Sequence, residues 1–302
     1  MAKVITISAS EPAAELERAL QKGMADLRRD CGVAVDVEVD RAADPAVLRC
    51  RFEAVDRGAA LRFDRCRERL AHVLAGFVID HMEPALLKRL LQQGYAGLRQ
   101  DGETILAVAR RQLAGAEQGP LPPPESRRLY LQQHILRYLE ESDERLHIDG
   151  LLTFRMGDYL EELEAVLDRA VEDVLIEREF REFVALLRCF VEVQEPRLDL
   201  VHVLIGGDGR FTLMDGDGRR VAHDESPPVD DESLYDSLKA DGGDLLISAL
   251  VAVAPRRVLL HDPGGLCTDD VTGTLRGVFP QRVHLCRGCR LCRRGAGRRD
   301  GW

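Results

Sequence analysis

The chain has 302 residues, 45% of them hydrophobic, and a formal net charge of −10, so it supports two packed units whose acidic surface disfavours nucleic-acid binding. Its longest apolar stretch, residues 245–254, falls short of the about 20 residues that a membrane span needs, so no membrane span is predicted. Glu11 interrupts the N-terminus before a signal-peptide core could form, so we expect a cytoplasmic protein.

The first residues predict a small strand–helix–strand–strand unit. Residues 4–7 form a short apolar strand, and a helix is predicted over residues 11–29, with a proline in its first turn. Residues 33–39 then alternate valine with alanine or an acid, and residues 48–52 repeat that period, as expected for strands with one buried face. Two or three helices follow in residues 59–116.

A proline-rich segment interrupts this helical region. Residues 119–124 contain four prolines, which cannot continue a helix or a central strand. We therefore predict a stiff spacer at 119–124. It would separate an N-terminal α+β domain, residues 1–118, from an acidic helical module and a C-terminal α/β unit in residues 125–302.

The acidic helical module lies within residues 140–195, which contain 17 acids and six arginines. From residue 158 onward it holds neither glycine nor proline, and its two apolar faces are out of phase near Val174. A single helix there would be about 57 Å long, so we expect two amphipathic helices, or one helix whose buried face shifts midway. The first face comprises Leu160, Leu163, Leu167, Ala170 and Val174, and the second comprises Ile176, Phe180, Phe183, Leu187 and Phe190.

After Pro196 the pattern predicts a small α/β unit in which glycine-rich turns join short strands. The predicted strands are residues 198–205, 211–214, 258–261 and 282–285, and the predicted helices are residues 233–238, 244–253 and 269–278. The last strand leads directly into a cluster of cysteines. The predicted fold class is therefore helix-rich α+β, with a small α/β unit at its C-terminal end.

Cys286, Cys289 and Cys292 are the sharpest signal for a functional site. Cysteines at this Cys-x2-Cys-x2-Cys spacing can converge on one soft cation, and Gly288 permits the left-handed backbone that such a turn often needs. The triplet predicts a zinc ion or an iron–sulfur cluster, with redox-active thiols or inert thiols as the alternatives. The candidate fourth ligands are His284, Cys267 and His261.

Other residues give less specific signals. The sequence has no Gly-rich phosphate loop, no G-x-S-x-G elbow and no H-E-x-x-H pair, which favours a non-enzymatic protein. His72, His134 and His202 lie in apolar elements and are interpreted as core or boundary histidines. Residues 282–302 contain seven arginines and one acid, so this basic tail either binds nucleic acid or lies on the protein's own acidic surface.

Polar as well as apolar residues agree with one known family between residues 148 and 203. The matching segments are residues 148–156 (IDGLLTFRM), 159–163 (YLEEL), 177–183 (EREFREF) and 186–191 (LLRCFV). In these segments the chain resembles the YtxC-like family, which is linked with sporulation. The resemblance implies a cytosolic sporulation protein without an assigned activity, and it supplies no catalytic residues. The Arg- and Gly-rich end, residues 293–302, is not expected in that family.

Three functional hypotheses follow from these observations. The first is a non-enzymatic, sporulation-associated protein whose acidic helical module contacts another protein. The alternative is a metal- or thiol-dependent protein that uses zinc or an iron–sulfur cluster at the cysteine triplet. Nucleic-acid binding by the basic tail is a third hypothesis, and it predicts steep loss of binding with salt.

Overall fold

The computed structural model confirms a helix-rich α+β fold with two small sheets. The chain divides into two compact units, residues 1–176 and residues 177–302, and each has its own hydrophobic core. The structure describes residues 2–10, 13–43, 45–55, 63–115, 122–142, 144–206, 211–221, 234–262, 264–265 and 267–292. The end of the predicted basic tail, residues 293–302, therefore lies outside the described residues.

The first unit contains a four-stranded sheet in the order β2-β3-β1-β4. Its first three strands are β1 (Lys3–Ala9), β2 (Val33–Asp40) and β3 (Ala46–Ala54). β3 lies between β2 and β1 and is antiparallel to both, and β4 (Arg145–His147) joins β1 in parallel. One-sided burial was predicted for residues 33–39 and 48–52. In β3 every second residue is buried, and in β2 Val33 is buried while the other three valines are partly buried against the core, so the prediction is confirmed.

The helices of the first unit bury their apolar sides against this core. They are α1 (Ala13–Met24), α2 (Leu27–Cys31), α3 (Phe63–Phe77), a π-helical turn (Val78–Met82), α4 (Glu83–Gly94), a 3-10 turn (Ala96–Leu98), α5 (Gly102–Leu113), α6 (Pro124–Glu141) and α7 (Ile148–Arg155). α6 starts at the last proline of the predicted spacer. Proline suits that position because the N–H it lacks would have no helical partner there.

Within the described residues, one helical run is long and apolar enough to cross a membrane, judged by length and composition. It is Phe63–Gly94, and 61% of its most apolar window is buried inside the protein. The core helix of a globular unit has the same composition. The predicted absence of a membrane span therefore stays a prediction.

The residues that follow the proline-rich spacer belong to the first unit. α6 packs against α3, and β4 completes the N-terminal sheet. The boundary between the two compact units therefore falls between residues 176 and 177 of the chain rather than at 119–124. Proline ends a helix locally, but it does not decide which core the next helix joins. Residues 119–121 of the predicted spacer lie outside the described residues.

Residues Gly157–Val193 form one helix, α8, so a single helix with a shifting buried face is the correct alternative. The second buried face was predicted wrongly except for Leu187. It consists of Val184, Leu187 and Val191, which pack against the core of the second unit. The exposed residues are instead Ile176, Phe180, Phe183 and Phe190. Hydrophobicity alone does not tell which of two neighbouring apolar stripes a core will cover.

The second unit contains a sheet in the order β6-β5-β7-β8. Its elements are β5 (Val201–Ile205), β6 (Phe211–Asp215), α9 (Leu234–Val253), β7 (Val258–His261), α10 (Asp269–Val278) and β8 (Val283–Leu285). β5, β7 and β8 are parallel, and β6 forms the predicted antiparallel hairpin with β5. α9 replaces the two helices predicted at residues 233–238 and 244–253. Within it Gly243 packs closely against Val271, where a Cβ would lie 2.8 Å from a methyl carbon.

A buried polar cluster joins α4, α6 and α8 in the first unit. Nε and Nη2 of Arg127 donate to the two carboxylate oxygens of Glu83, each at 3.2 Å, and Tyr159 donates its hydroxyl to the same carboxylate. Nη1 of Arg127 donates to the carbonyls of Leu113 and Pro122 at 2.8 and 2.9 Å. Glu83 and Arg127 are each only 3% exposed, so this ion pair is shielded from water.

Candidate metal centre

Strands β7 and β8 bring one histidine and one cysteine to the same edge of the second sheet. β7 ends at His261, which is 1% exposed. β8 runs parallel to β7, and the N–H of Cys286 donates to the carbonyl of Leu260 at 2.8 Å. This hydrogen bond extends the ladder one residue past β8. Cys286 therefore lies beside the end of β7, where parallel strands commonly place functional residues.

A tight turn carries the other two cysteines back toward His261. Gly288 has a φ of +111°, which glycine adopts readily because it has no Cβ. Residues 290–292, the last that the structure describes, are helical, and Cys292 is 8% exposed. The predicted convergence of the three cysteines is therefore observed, and it depends on the turn around Gly288.

Four of the six distances between the candidate ligand atoms are close to those of a tetrahedral site. Nδ1 of His261 lies 3.3 Å from Sγ of Cys292 and 3.5 Å from Sγ of Cys289. Sγ of Cys292 lies 3.9 Å from Sγ of Cys289 and 3.7 Å from Sγ of Cys286, and all four atoms lie within 4.8 Å of one another. Tetrahedral zinc, with Zn–S of about 2.3 Å and Zn–N of about 2.0 Å, separates its ligands by about 3.5–3.8 Å.

These distances also distinguish a single ion from an iron–sulfur cluster. In a cluster with one cysteine on each iron, the sulfurs lie farther apart than sulfurs that share one ion. The separations of 3.7 and 3.9 Å between the cysteine sulfurs fit one shared ion. Thiolate and imidazole ligands at tetrahedral spacing are the set that zinc prefers. Of the two predicted metal groups, the geometry favours zinc.

His202 holds the imidazole of His261 in its ligating orientation. Nδ1 of His202 lies 2.9 Å from Nε2 of His261, and the ring centroids are 5.2 Å apart. When Nε2 of His261 carries the proton and donates it to His202, Nδ1 keeps its lone pair for the metal. A hydrogen bond to the second nitrogen of a ligating histidine fixes its tautomer and ring orientation.

The local electrostatics favour the ligating form at His261 and Cys289 but not at Cys286, whose thiol pKa is raised on balance. There the backbone N–H of Gly288 lowers the pKa, but desolvation and the neighbouring Cys292 and Cys289 together outweigh it. Burial, and then the nearby His202, lower the pKa of His261 and so favour its neutral form. The backbone N–H of Cys292 lowers the pKa of the Cys289 thiol; together with the N–H of Leu291 it outweighs the opposing effect of desolvation. Neutral imidazole and thiolate are the ligating forms.

Replacing His202 with alanine is expected to weaken zinc binding by about 10- to 100-fold, because the ring of His261 loses the partner that orients it. Competition against a chromophoric zinc chelator would measure the change. The variant His202→Asn retains a hydrogen-bond acceptor and should restore part of the affinity. His134→Ala, in the first unit, is the control. An unchanged affinity in His202→Ala would show that the contact does not position the ligand.

The structure selects one of the three candidate fourth ligands. Within the described residues, the four-residue group contains His261 but neither His284 nor Cys267. His284 is exposed on β8. His202 was missed because an apolar strand usually makes a histidine a boundary residue. Its position beside His261 follows from the pairing of β5 with β7, which only the order of strands in the sheet shows.

Two comparisons relate the chain to known proteins. The sequence model of the YtxC-like family matches residues 68–284, which include His202 and His261 and end two residues before Cys286. The chain is also 25% identical to Uncharacterized protein YtxC of Bacillus subtilis (strain 168) over 224 residues. That alignment covers 70% of this chain and 74% of the relative. No solved structure matches the chain.

Proposed function

The chain belongs to the YtxC-like family, and we propose that it is a non-enzymatic interaction protein whose second unit is stabilised by one zinc ion. The zinc is supported chiefly by one observation, the tetrahedral spacing of three sulfurs and the Nδ1 atom of His261. The interaction role is supported by an exposed apolar stripe on α8. The two parts concern different residues and are tested separately.

The proposed zinc is structural rather than catalytic. A catalytic zinc has three protein ligands and keeps the fourth position for water or substrate, whereas a structural zinc has four protein ligands. Here the chain itself supplies four, and two of them, His261 and Cys292, are buried. Such a site leaves no position at which a substrate could bind the metal.

The zinc would stabilise the edge of the second sheet. β8 is only three residues long, and among the described strands it pairs with β7 alone. Strands of this length contribute few ladder hydrogen bonds. One ion bound to His261, Cys286, Cys289 and Cys292 would join the end of β7 to the chain that follows β8. Zinc binding at such a site contributes directly to the free energy of folding.

We expect the full-length protein, purified without added metal, to contain one zinc per chain by elemental analysis. Exchange for Co²⁺ should give the visible absorption of tetrahedral cobalt with thiolate ligands, because the ligand set is three sulfurs and one nitrogen. Iron with a visible cluster chromophore would contradict the assignment. Protein that contains no metal and does not bind added Zn²⁺ would also contradict it.

The surface proposed for protein interaction is the α8 stripe, defined as five residues of the second unit. Their exposed fractions are 47% for Phe180, 54% for Phe183, 69% for Leu186, 53% for Phe190 and 82% for Val193. Large apolar side chains this close together on one helix typically mark an interaction site. Their spacing of three and four residues suits an amphipathic helix of a protein partner.

A role in sporulation and a location in the cytoplasm are proposed from the family resemblance. The relative YtxC allows the sporulation role to be tested in Bacillus subtilis. A strain that lacks YtxC should form fewer heat-resistant spores, and expression of this chain should restore part of the count. A deletion strain with a normal spore count would contradict the role.

A further inference from the structure

We infer that the α8 stripe binds the same stripe of a second copy of this chain in an antiparallel arrangement. The inference rests on the proposed interaction function and names its partner. It is carried by the spacing of the five exposed residues, by the apolar area that they expose, and by the charges beside them. None of these depends on the zinc site.

The spacing of the stripe is nearly symmetric about residue 185. Phe180 and Phe190 lie five residues on either side of that point, and the midpoint of Phe183 and Leu186 falls within half a residue of it. A two-fold axis through this point would place Phe180 against Phe190 of the second copy, and Phe183 against its Leu186. Twofold interfaces pair residue i with residue j and residue j with residue i. Four of the five residues of the stripe meet that condition, and the fifth, Val193, lies at the end of the stripe opposite Glu177 of the second copy.

The exposed area suits a dimer of modest affinity. A large apolar side chain has about 150–200 Å² to bury, so the exposed fractions of the five residues correspond to roughly 500 Å² per copy. Two copies would then bury about 1,000 Å² in total, the size at which specific interfaces begin. We therefore expect a dissociation constant in the micromolar range.

The charges beside the stripe are compatible with this pairing. At about 100° per residue, Glu182 and Cys189 lie on the same flank of the helix, and they are three and four residues from the symmetry point. In the dimer Glu182 would face the exposed, uncharged Cys189 of the second copy. Arg188 is paired within its own helix to Glu192 at 2.8 Å. The arrangement therefore does not place Glu182 against another acid of α8. Glu179 is exposed and lies in line with the stripe, but six residues from the symmetry point, at the end of the proposed interface.

Sedimentation of the zinc-loaded full chain between about 1 and 100 μM tests the inference. The natural chain should be dimeric at the upper concentrations, and Leu186→Glu should raise the dissociation constant at least about 30-fold because it would bury an unpaired carboxylate. The matched control is Ala185→Glu, which adds the same charge to an exposed position off the stripe. A monomer at 100 μM would overturn the inference, and so would a dimer that Leu186→Glu leaves intact.

The antiparallel orientation has its own test. Phe183→Lys should also disrupt the dimer, but the double variant Phe183→Lys/Leu186→Glu should dimerise again, because each lysine would face a glutamate of the second copy. In a parallel dimer each lysine would face a lysine and each glutamate a glutamate, so the double variant would not dimerise again. Absence of recovery in a folded double variant would therefore overturn the antiparallel pairing.

The metal content of the same samples separates this inference from the zinc proposal. A monomer with one zinc per chain would remove the second copy as the partner and leave the zinc proposal in place. A dimer that contains no zinc would leave the second copy as the partner and contradict the zinc proposal. If the chain is a monomer and a different purified protein covers Phe183 and Leu186 on binding, the interaction role would be supported. The partner named here would then be overturned.

Discussion

Replacing Cys292 with serine is expected to reduce the zinc content from one ion per chain to nearly none and to destabilise the second unit. Cys292 is the most buried of the three cysteines, and its sulfur lies within 3.9 Å of the other three candidate ligand atoms. A ligand present at 1,000 times its dissociation constant stabilises the folded state by about 4 kcal/mol, so a loss of that order is expected. Elemental analysis and denaturant unfolding would measure the two effects.

The effect of Cys292→Ser should be confined to the second unit. Amide hydrogen exchange should accelerate in β7 and β8 and remain unchanged in β1 and β3, because the two units have separate cores. Cys189→Ser is the matched control, since Cys189 is exposed on α8 and outside the four-residue group. Full zinc content in Cys292→Ser would refute the assigned ligand set.

Replacing Arg127 with leucine is expected to lower the free energy of unfolding by about 3–5 kcal/mol, because the carboxylate of Glu83 would stay buried without its partner. The same change removes the donor to the carbonyls of Leu113 and Pro122. Tyr159 would remain as a donor to Glu83, but a neutral hydroxyl cannot balance a full charge in a dry site. Urea unfolding, followed by a signal from the first unit, would measure the loss.

The neighbouring arginine provides the control for this prediction. Arg128 is only partly buried, and among the described residues it has no hydrogen bond or ion pair, so Arg128→Leu should change the stability by about 0.5 kcal/mol or less. The double variant Glu83→Met/Arg127→Leu should recover part of the loss, since neither charge is then left unpaired. If Arg127→Leu were as stable as Arg128→Leu, the buried pair would not stabilise the fold.

Local patterns predicted most of the secondary structure. Alternation along residues 33–39 and 48–52 and the short apolar run at 4–7 all correspond to strands of the first sheet, because one buried face imposes a period of two. The same reasoning placed β7 and α10. It failed on the second half of α8, where two apolar stripes lie side by side and only packing decides which one is buried.

The sequence by itself determined the α+β fold class and three of the four candidate ligands, because the strands and the cysteine turn are specified by residues close to one another in the chain. Only the tertiary structure decided that His261 is the fourth member of the candidate site, that His202 contacts its ring, and that β4 completes the first sheet. These choices depend on which distant strands pair. Strand pairing is set by the summed packing of a whole core, and no short segment of sequence contains that information.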